Sequence, residues 1–175
     1  MAEDMRVSVP QKNIEKFKEV FLYILDKVGG KANVGKTVIF KLLYFIDFDY
    51  YELFEEQLIG LEYIKNTYGP TPVDFDTMCN DMIERGEIEK VESNFFDKHQ
   101  TKYLPHREPN LQVLNARELQ HIETVLAKYS GWSASRLSDF SHRDVPWIGA
   151  KEKEPISYES VFYRTSETSV RNYDL

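Results

Sequence analysis

One segment limits what this chain can fold into more than any other. It begins near Val34 or Lys36, runs to Leu53, and reads "KTVIFKLLYFIDFDYYEL" from Lys36 onward. At 3.6 residues per turn, its apolar side chains cover most of the helix circumference instead of forming one stripe. A helix that is apolar on most sides usually lies at the centre of its domain. We therefore predict a central, buried helix with the other elements packed around it.

The other helices are predicted to be amphipathic. Residues 14–28 repeat apolar side chains at helical spacing, Asn13 can cap their start, and Gly29–Gly30 can end them in the left-handed conformation. Further helices are expected at residues 73–85, at residues 116–129, and from Ser133 to His142.

Short strands are expected between the helices. Residues 59–66 are rich in β-forming side chains, and residues 68–72 ("YGPTP") predict a rigid turn because each proline fixes φ. Residues 87–93 and 101–106 predict a hairpin, while residues 154–164 fit either a strand or a short helix. The pattern indicates an α+β fold, mainly α, built as a compact helical domain with a small antiparallel β-sheet. It lacks the alternation of strands and helices that a parallel sheet needs.

The length of 175 residues suits one domain. We expect a flexible N-terminal arm at residues 1–12, a domain at residues 13–164, and a polar, frayed C-terminal tail at residues 165–175. With 11 Tyr, 11 Phe and 2 Trp, the core is predicted to be rich in aromatic rings. The lone cysteine, Cys79, excludes an intrachain disulfide and a cysteine-based metal site, and we expect it to be buried.

The net charge of −7 makes some partners less suitable than others. Non-specific nucleic-acid binding depends on Lys and Arg neutralising phosphates, so nucleic acid is a poor fit and a basic protein a better one. The N-terminal residues lack the apolar run of a signal peptide, and no segment approaches 18 consecutive apolar residues. We expect a cytoplasmic protein without membrane contact.

Residues 30–37, "GKANVGKT", match the phosphate-loop pattern G-x-x-x-x-G-K-[ST] letter for letter. A working phosphate loop follows a buried strand and opens a helix, and it needs a later strand that ends in Asp to organise Mg²⁺. Here the preceding residues have a helical period, and "LLYFID" (42–47) ends in Asp but lies inside the predicted central helix. We interpret the match as a joint between two helices and predict no nucleotide hydrolysis.

Other candidate chemistry is also weak. Ser138, Asp139, Ser141, His142 and Asp144 lie close together in the sequence. A catalytic triad is assembled from distant segments beside an oxyanion hole, so these residues are better explained as polar groups at a helix end, where His142 faces the negative end of the dipole.

No metal site is predicted either. The four histidines have no metal-ligand spacing, and the pair Glu118 and His121 is more typical of a solvated helix face than of a di-iron site. Asp47 lies within the apolar helix, so we expect a salt bridge to a nearby Lys or Arg. We predict no catalytic residues, no metal and no cofactor.

A winged helix–turn–helix is the alternative from another functional class. Residues 14–54 would supply two of its helices and residues 87–105 the wing of a DNA-binding transcriptional regulator. A recognition helix exposes Arg, Lys, Asn or Gln to base edges. The central helix instead carries Phe, Tyr, Leu and Asp, with Lys36 and Lys41 near its start, which favours burial.

Several separated segments resemble one family, the Panacea domain of SocA-like antitoxins. The family pattern has a K-L-L-Y-x-x-D helix, a strand carrying G-x-x-Y, the turn Y-G-P-x-P, and a C-terminal part with L-S-x-x-S-H, P-W and I-x-Y. The chain supplies these motifs in order, through Lys41, Leu42, Leu43, Tyr44, Asp47, Gly60, Tyr63, Tyr68, Gly69, Pro70, Pro72, Leu137, Ser138, Ser141, His142, Pro146, Trp147, Ile156 and Tyr158.

The resemblance implies an antitoxin of bacteria or prophages that neutralises a cognate toxin protein by binding it, and it implies no catalysis. Neutralisation by blocking and by delivery to a protease both remain open. The candidate partner surface is the edge around Tyr63 and Tyr68 together with acidic residues of the central helix, Asp49, Glu52 and Glu55, which suit a basic toxin face.

Most motif positions are predicted to be structural. Trp147 is expected to pack beside the end of the fifth helix. Asp47 and His142 are hypothesised to bridge the two halves of the domain.

Overall fold

The computed structural model describes residues 12–172. About half of the chain is helical, with small antiparallel sheets, which confirms an α+β fold that is mainly α. The helices are α1 (Ile14–Val28), α2 (Lys36–Phe54), α3 (Phe75–Glu84), α4 (Ala116–Tyr129), α5 (Ala134–Ser141) and α6 (Val145–Gly149), with 3₁₀ helices at Leu111–Val113 and Tyr158–Tyr163. The strands are β1 (Tyr63–Asn66), β2 (Gly69–Pro72), β3 (Ile88–Phe95) and β4 (Lys98–Pro105).

Helix α2 is the centre of the domain, as predicted. Every residue from Lys41 to Glu52 is buried, and the helix packs against α4, α5, β2, β4 and the second 3₁₀ helix. Aromatic rings fill the space around it. Tyr44 and Phe48 stack with centroids 4.4 Å apart, and Phe48 stacks on Tyr158 at 4.3 Å. The predicted aromatic core is confirmed.

The ends of the surrounding helices follow local side-chain chemistry. Asn13 accepts a hydrogen bond from the backbone N–H of Lys16, and Ser133 accepts one from Arg136. Helix α4 opens with a capping box between Asn115 and Glu118. Gly29 ends α1 as expected, but its φ of −61° is right-handed, so the left-handed conformation predicted there is wrong.

The prolines of the "YGPTP" segment belong to a strand and not to a turn. Strand β2 pairs antiparallel with β1, from Tyr63 opposite Pro72 to Asn66 opposite Gly69. The turn is confined to Thr67 and Tyr68. Prolines are tolerated because β2 is an edge strand, where a missing N–H costs no ladder bond. On its other side, β1 bonds to the segment 152–156.

The second hairpin is longer than predicted. Strands β3 and β4 pair from Ile88 opposite Pro105 to Phe95 opposite Lys98. The two turn residues, Phe96 and Asp97, have φ of 52° and 63°, as a two-residue hairpin loop requires. Their side chains give no Asn-Gly signal, which explains why the sequence suggested a longer polar loop. The domain thus has two separate hairpins instead of one small sheet.

The C-terminal segment is attached, at least through its described part. The Ser169 hydroxyl and the Val170 N–H both donate to the Glu52 carboxylate of α2. The expectation that the tail frays from Thr165 is therefore wrong for residues 165–172.

Candidate functional site: a cleft between two hairpin tips

A cleft of about 630 Å³ lies between the tips of the two hairpins, the start of α2 and one face of α5. Several positions of the family motifs meet here although they are distant in sequence. The lining residues are Thr37, Lys41, Thr67, Tyr68, Lys98, His99, Ala134, Ser135, Ser138, Asp139 and His142.

Lys41 is the buried cation of this cleft. It lies one helical turn after Thr37 on α2, and only 3% of its surface is exposed. Its ammonium makes no hydrogen bond or ion pair with any residue in the described range 12–172. Burial lowers the pKa of Lys41 to about 8, so the group is still mostly protonated at pH 7.

Gly69 makes room for that lysine. A Cβ built on Gly69 would lie 2.9 Å from Lys41 Cε and 2.8 Å from Ser141 Oγ, closer than real contacts allow. Its φ of +127° is also a conformation that only glycine adopts readily. The glycine of the Y-G-P motif is therefore required where β2 crosses Lys41.

The serines of the L-S-x-x-S-H motif bond to backbone and not to histidine. Ser138 donates to the carbonyl of Tyr68 at 2.8 Å and so ties α5 to the first hairpin tip. Ser141 donates to the carbonyl of Ser138, also at 2.8 Å. Neither hydroxyl donates to His142.

His142 caps α5 and faces Trp147. The two rings stack with centroids 4.2 Å apart, which confirms that Trp147 packs beside the end of the fifth helix. Nε2 of His142 is buried and has no hydrogen-bond partner within residues 12–172. It is therefore a buried polar atom without a protein partner, on a residue that also lines the cleft.

The rim of the cleft carries an exposed aromatic residue. Tyr68, at the first hairpin tip, is 76% exposed. On the second hairpin, His99 is paired with Glu92. Lys98 and Asp139 add one charge of each sign to the lining.

The predicted partner surface needs correction. Asp49, Glu52 and Tyr63 are all buried, so they cannot contact a partner. Tyr68 and Glu55 remain accessible. Helical periodicity could not predict whether Asp49 and Glu52 are exposed, because α2 has no solvent-facing side along this stretch.

Asp49 and Glu52 belong to a buried cluster around Arg164. Arg164 Nη1 donates to Asp49 at 2.7 Å and to Glu52 at 3.0 Å. Nε and Nη2 form a fork on Asp144, each at 2.9 Å, and the Tyr44 hydroxyl donates to the same carboxylate. The cluster connects α2, the start of α6 and the end of the second 3₁₀ helix.

The sequence pattern did not identify Arg164 as the key cation. The available signal was the presence of acids at positions 49 and 52 of an apolar helix, because buried carboxylates require a partner. Burial raises the pKa of Asp49 to about 6 against the lowering effect of Arg164, since one guanidinium serves three carboxylates.

Asp47 has a different role from both of those predicted. Its carboxylate accepts hydrogen bonds from the backbone N–H groups of residues 59, 60 and 61 at 2.8 to 3.3 Å, and from the Tyr63 hydroxyl at 2.7 Å. The predicted salt bridge to Lys or Arg is wrong, because four neutral donors satisfy the carboxylate. The hypothesised bridge to His142 is also wrong. Asp47 instead fixes the loop before β1.

Glu118 and His121 do not form the solvated face that we expected. Both are buried: Glu118 pairs with Lys16, and Nε2 of His121 lies 3.0 Å from the carbonyl of Ile46. Burial lowers the pKa of His121 to about 4, so it is neutral at pH 7. Within residues 12–172, no group of three or more His, Cys, Asp or Glu side chains could hold a metal ion.

The phosphate-loop match also has a structural explanation. The element before it is helix α1, and Lys36 is the first residue of α2, where its ammonium pairs with Asp76 at 2.7 Å. The winged-helix alternative is not favoured, because the helix that would read DNA is buried along most of its length. Cys79 is buried, as predicted.

The family follows from a direct comparison. Residues 39–148 match the sequence model of the antitoxin SocA-like Panacea domain, which is more than half of the chain. The chain therefore belongs to this antitoxin family, and the resemblance seen in the motifs is confirmed. No curated protein and no solved structure gives a match. Among the described residues, none of the helices has the length and apolar character needed to span a bilayer.

Proposed function

We propose that this chain neutralises a cognate toxin protein by binding it directly in the cytoplasm. Its membership of an antitoxin family supports the class of function. The observation that carries the choice of surface is Tyr68, an exposed ring on the rim of a cleft where Lys41, Gly69, Ser138 and His142 meet. A few residues usually carry most of the binding energy of an interface, and tyrosine is enriched among them.

The proposed role is binding and not catalysis. The hydroxyls of Ser138 and Ser141 donate to backbone carbonyls, so neither of them is hydrogen-bonded to His142 as an activated nucleophile would be. The overall charge of −7 favours a toxin with a basic face, because complementary charge accelerates association. Blocking of the toxin and its delivery to a protease are both compatible with this surface.

The first test is genetic. The open reading frame next to the gene is expressed in a bacterial host, alone and together with this chain. We expect the neighbour to stop growth and this chain to restore it, with the two proteins co-purifying as a complex. A toxic neighbour that is neither rescued nor bound would contradict the proposal.

The second test addresses the surface. Tyr68→Ala is expected to weaken toxin binding about 30-fold, which corresponds to about 2 kcal/mol, as measured by calorimetry. The matched control is Tyr163→Ala, because Tyr163 is 78% exposed but does not line the cleft. Equal loss of affinity in both variants, or no loss in either, would show that the cleft rim is not part of the interface.

A further inference from the structure

Two buried cations, Lys41 of α2 and Arg164 beside it, differ in the charges that surround them. Arg164 is surrounded by three carboxylates. Lys41 is also buried, but it borders the cleft and makes no ion pair or hydrogen bond with any part of the described chain. Buried charges are normally paired, so an unpartnered ammonium that lines an open cleft indicates a counter-ion supplied from outside.

The surroundings of Lys41 favour an anion. The cleft is also lined by Thr37, in the first turn of α2, where no acidic side chain and no side-chain cap satisfy the N–H groups. The positive end of the helix dipole therefore points toward the same region.

The charge balance favours a monovalent anion. Lys41 and Lys98 face one acid in the lining, Asp139. Of the two histidines in the lining, His99 is paired with Glu92 and His142 stacks on Trp147. This leaves a net charge of about one positive unit. No arginine among residues 12–172 lines the cleft, so the described lining has no bidentate fork of the kind that typically holds a phosphate.

We propose that the cleft binds a carboxylate with Lys41 as its counter-ion, and that the toxin supplies this group as an Asp or Glu side chain or as its chain terminus. The assignment of the donor rests on the proposed toxin-binding function. A volume of about 630 Å³ accommodates a side chain with its neighbours. Tyr68 on the rim would cover the bound group and exclude water from it.

The direct test uses acetate as the carboxylate probe and needs no toxin. Lysine side-chain resonances are followed by NMR while sodium acetate replaces sodium chloride at constant ionic strength. We expect a saturable shift of the Lys41 signals and a rise in the pKa of Lys41 above about 8, because the anion stabilises the charged form. Shifts no larger than those of exposed lysines would overturn the proposal.

Substitutions separate binding from support of the fold. Lys41→Met keeps the aliphatic chain and should abolish acetate binding while leaving the Tm unchanged or higher, since an unpaired buried charge is removed. Lys151→Met, at an exposed position outside the cleft, is the control and should change neither. A fall of several degrees in the Tm of Lys41→Met would identify a structural lysine and contradict the proposal.

The sign of the charge effect can be tested by removing the nearby acid. Asp139 is exposed and lines the same cleft, so Asp139→Asn should bind acetate several-fold more tightly. Unchanged affinity would count against a site in which these charges act together.

Parallel titrations with inorganic phosphate and ATP identify the class of anion. Saturation by either of them at a lower concentration than acetate would overturn the carboxylate assignment. Because no toxin is present, failure of these titrations leaves the neutralisation proposal standing. A failed growth rescue likewise leaves the anion site standing.

Discussion

Gly69 shows how strongly one position can be determined by its neighbours. Replacing it with alanine places a methyl group against Lys41 and Ser141 at a φ of +127°. We expect Gly69→Ala to lower the free energy of unfolding by about 2 kcal/mol or more, measured by urea denaturation. Gly131→Ala is the control, because a Cβ there has no neighbour within 4 Å and its φ is not positive. Similar stability of both variants would contradict this account of the motif.

Asp49 should make stability depend on pH. The folded pKa of about 6 lies above the usual value of 3.8, so the folded state holds this proton more tightly than the unfolded chain. The resulting stabilisation is complete below pH 3.8 and is lost as the pH rises through 6. Between pH 5 and pH 7, the ionisation of Asp49 should lower the free energy of unfolding by about 1 kcal/mol.

The measurement for Asp49 compares variants. Urea unfolding at pH 5, 6 and 7 should show that the fall in the free energy of unfolding with rising pH disappears in Asp49→Asn. The amide oxygen of that variant can still accept a hydrogen bond from Arg164. The exposed Asp139→Asn should keep the pH dependence of the original chain. A parallel decline in both variants would rule out Asp49 as its source.

At the scale of elements, Arg164 joins the second 3₁₀ helix to α2 and to the start of α6. Arg164→Met would leave three buried carboxylates without their cation, and we expect a loss of about 3–5 kcal/mol in the free energy of unfolding. Arg85→Met is the control, since Arg85 is exposed and pairs with Asp81 within α3, an interaction worth about 0–1 kcal/mol. If Arg164→Met costs no more than this control, the cluster does not hold the elements together.

The sequence predicted where the helices begin and end far better than it predicted which elements contact each other. The bounds of α1 and α4 were predicted from apolar periodicity, and the start of α1 also from its cap Asn13, because these signals are local. The β1–β2 hairpin was missed because proline usually marks a turn, and its place in an edge strand depends on which strand lies beside it.

The candidate site was only partly predictable for the same reason. The motif positions Lys41, Tyr68 and Ser138 could be selected from the sequence, but their meeting at one cleft is a property of the tertiary fold. The acids Asp49 and Glu52 were placed on the surface because their partner, Arg164, lies more than 100 residues away. Long-range pairing leaves no local pattern to detect.

On the scale of the whole molecule, α2 gives the domain one shared core. Both hairpins, α4, α5 and the second 3₁₀ helix pack on it, so no element has a core of its own. We expect a single cooperative unfolding transition, with near-ultraviolet circular dichroism of the aromatic rings and far-ultraviolet signals of the helices coinciding in urea. Separate midpoints for the two signals would show that part of the domain unfolds independently.

The attachment of Arg164, Ser169 and Val170 to the acids of α2 has a consequence for how this domain can be inherited or transplanted. The region recognisable as the family ends at residue 148, yet the cation that neutralises the buried acids lies sixteen positions later. A recombination event or a gene fusion that preserved only the recognisable stretch would deliver a core with uncompensated negative charge. In this chain the folded unit therefore extends beyond the recognisable stretch, and grafts onto other proteins should carry the chain through at least residue 170.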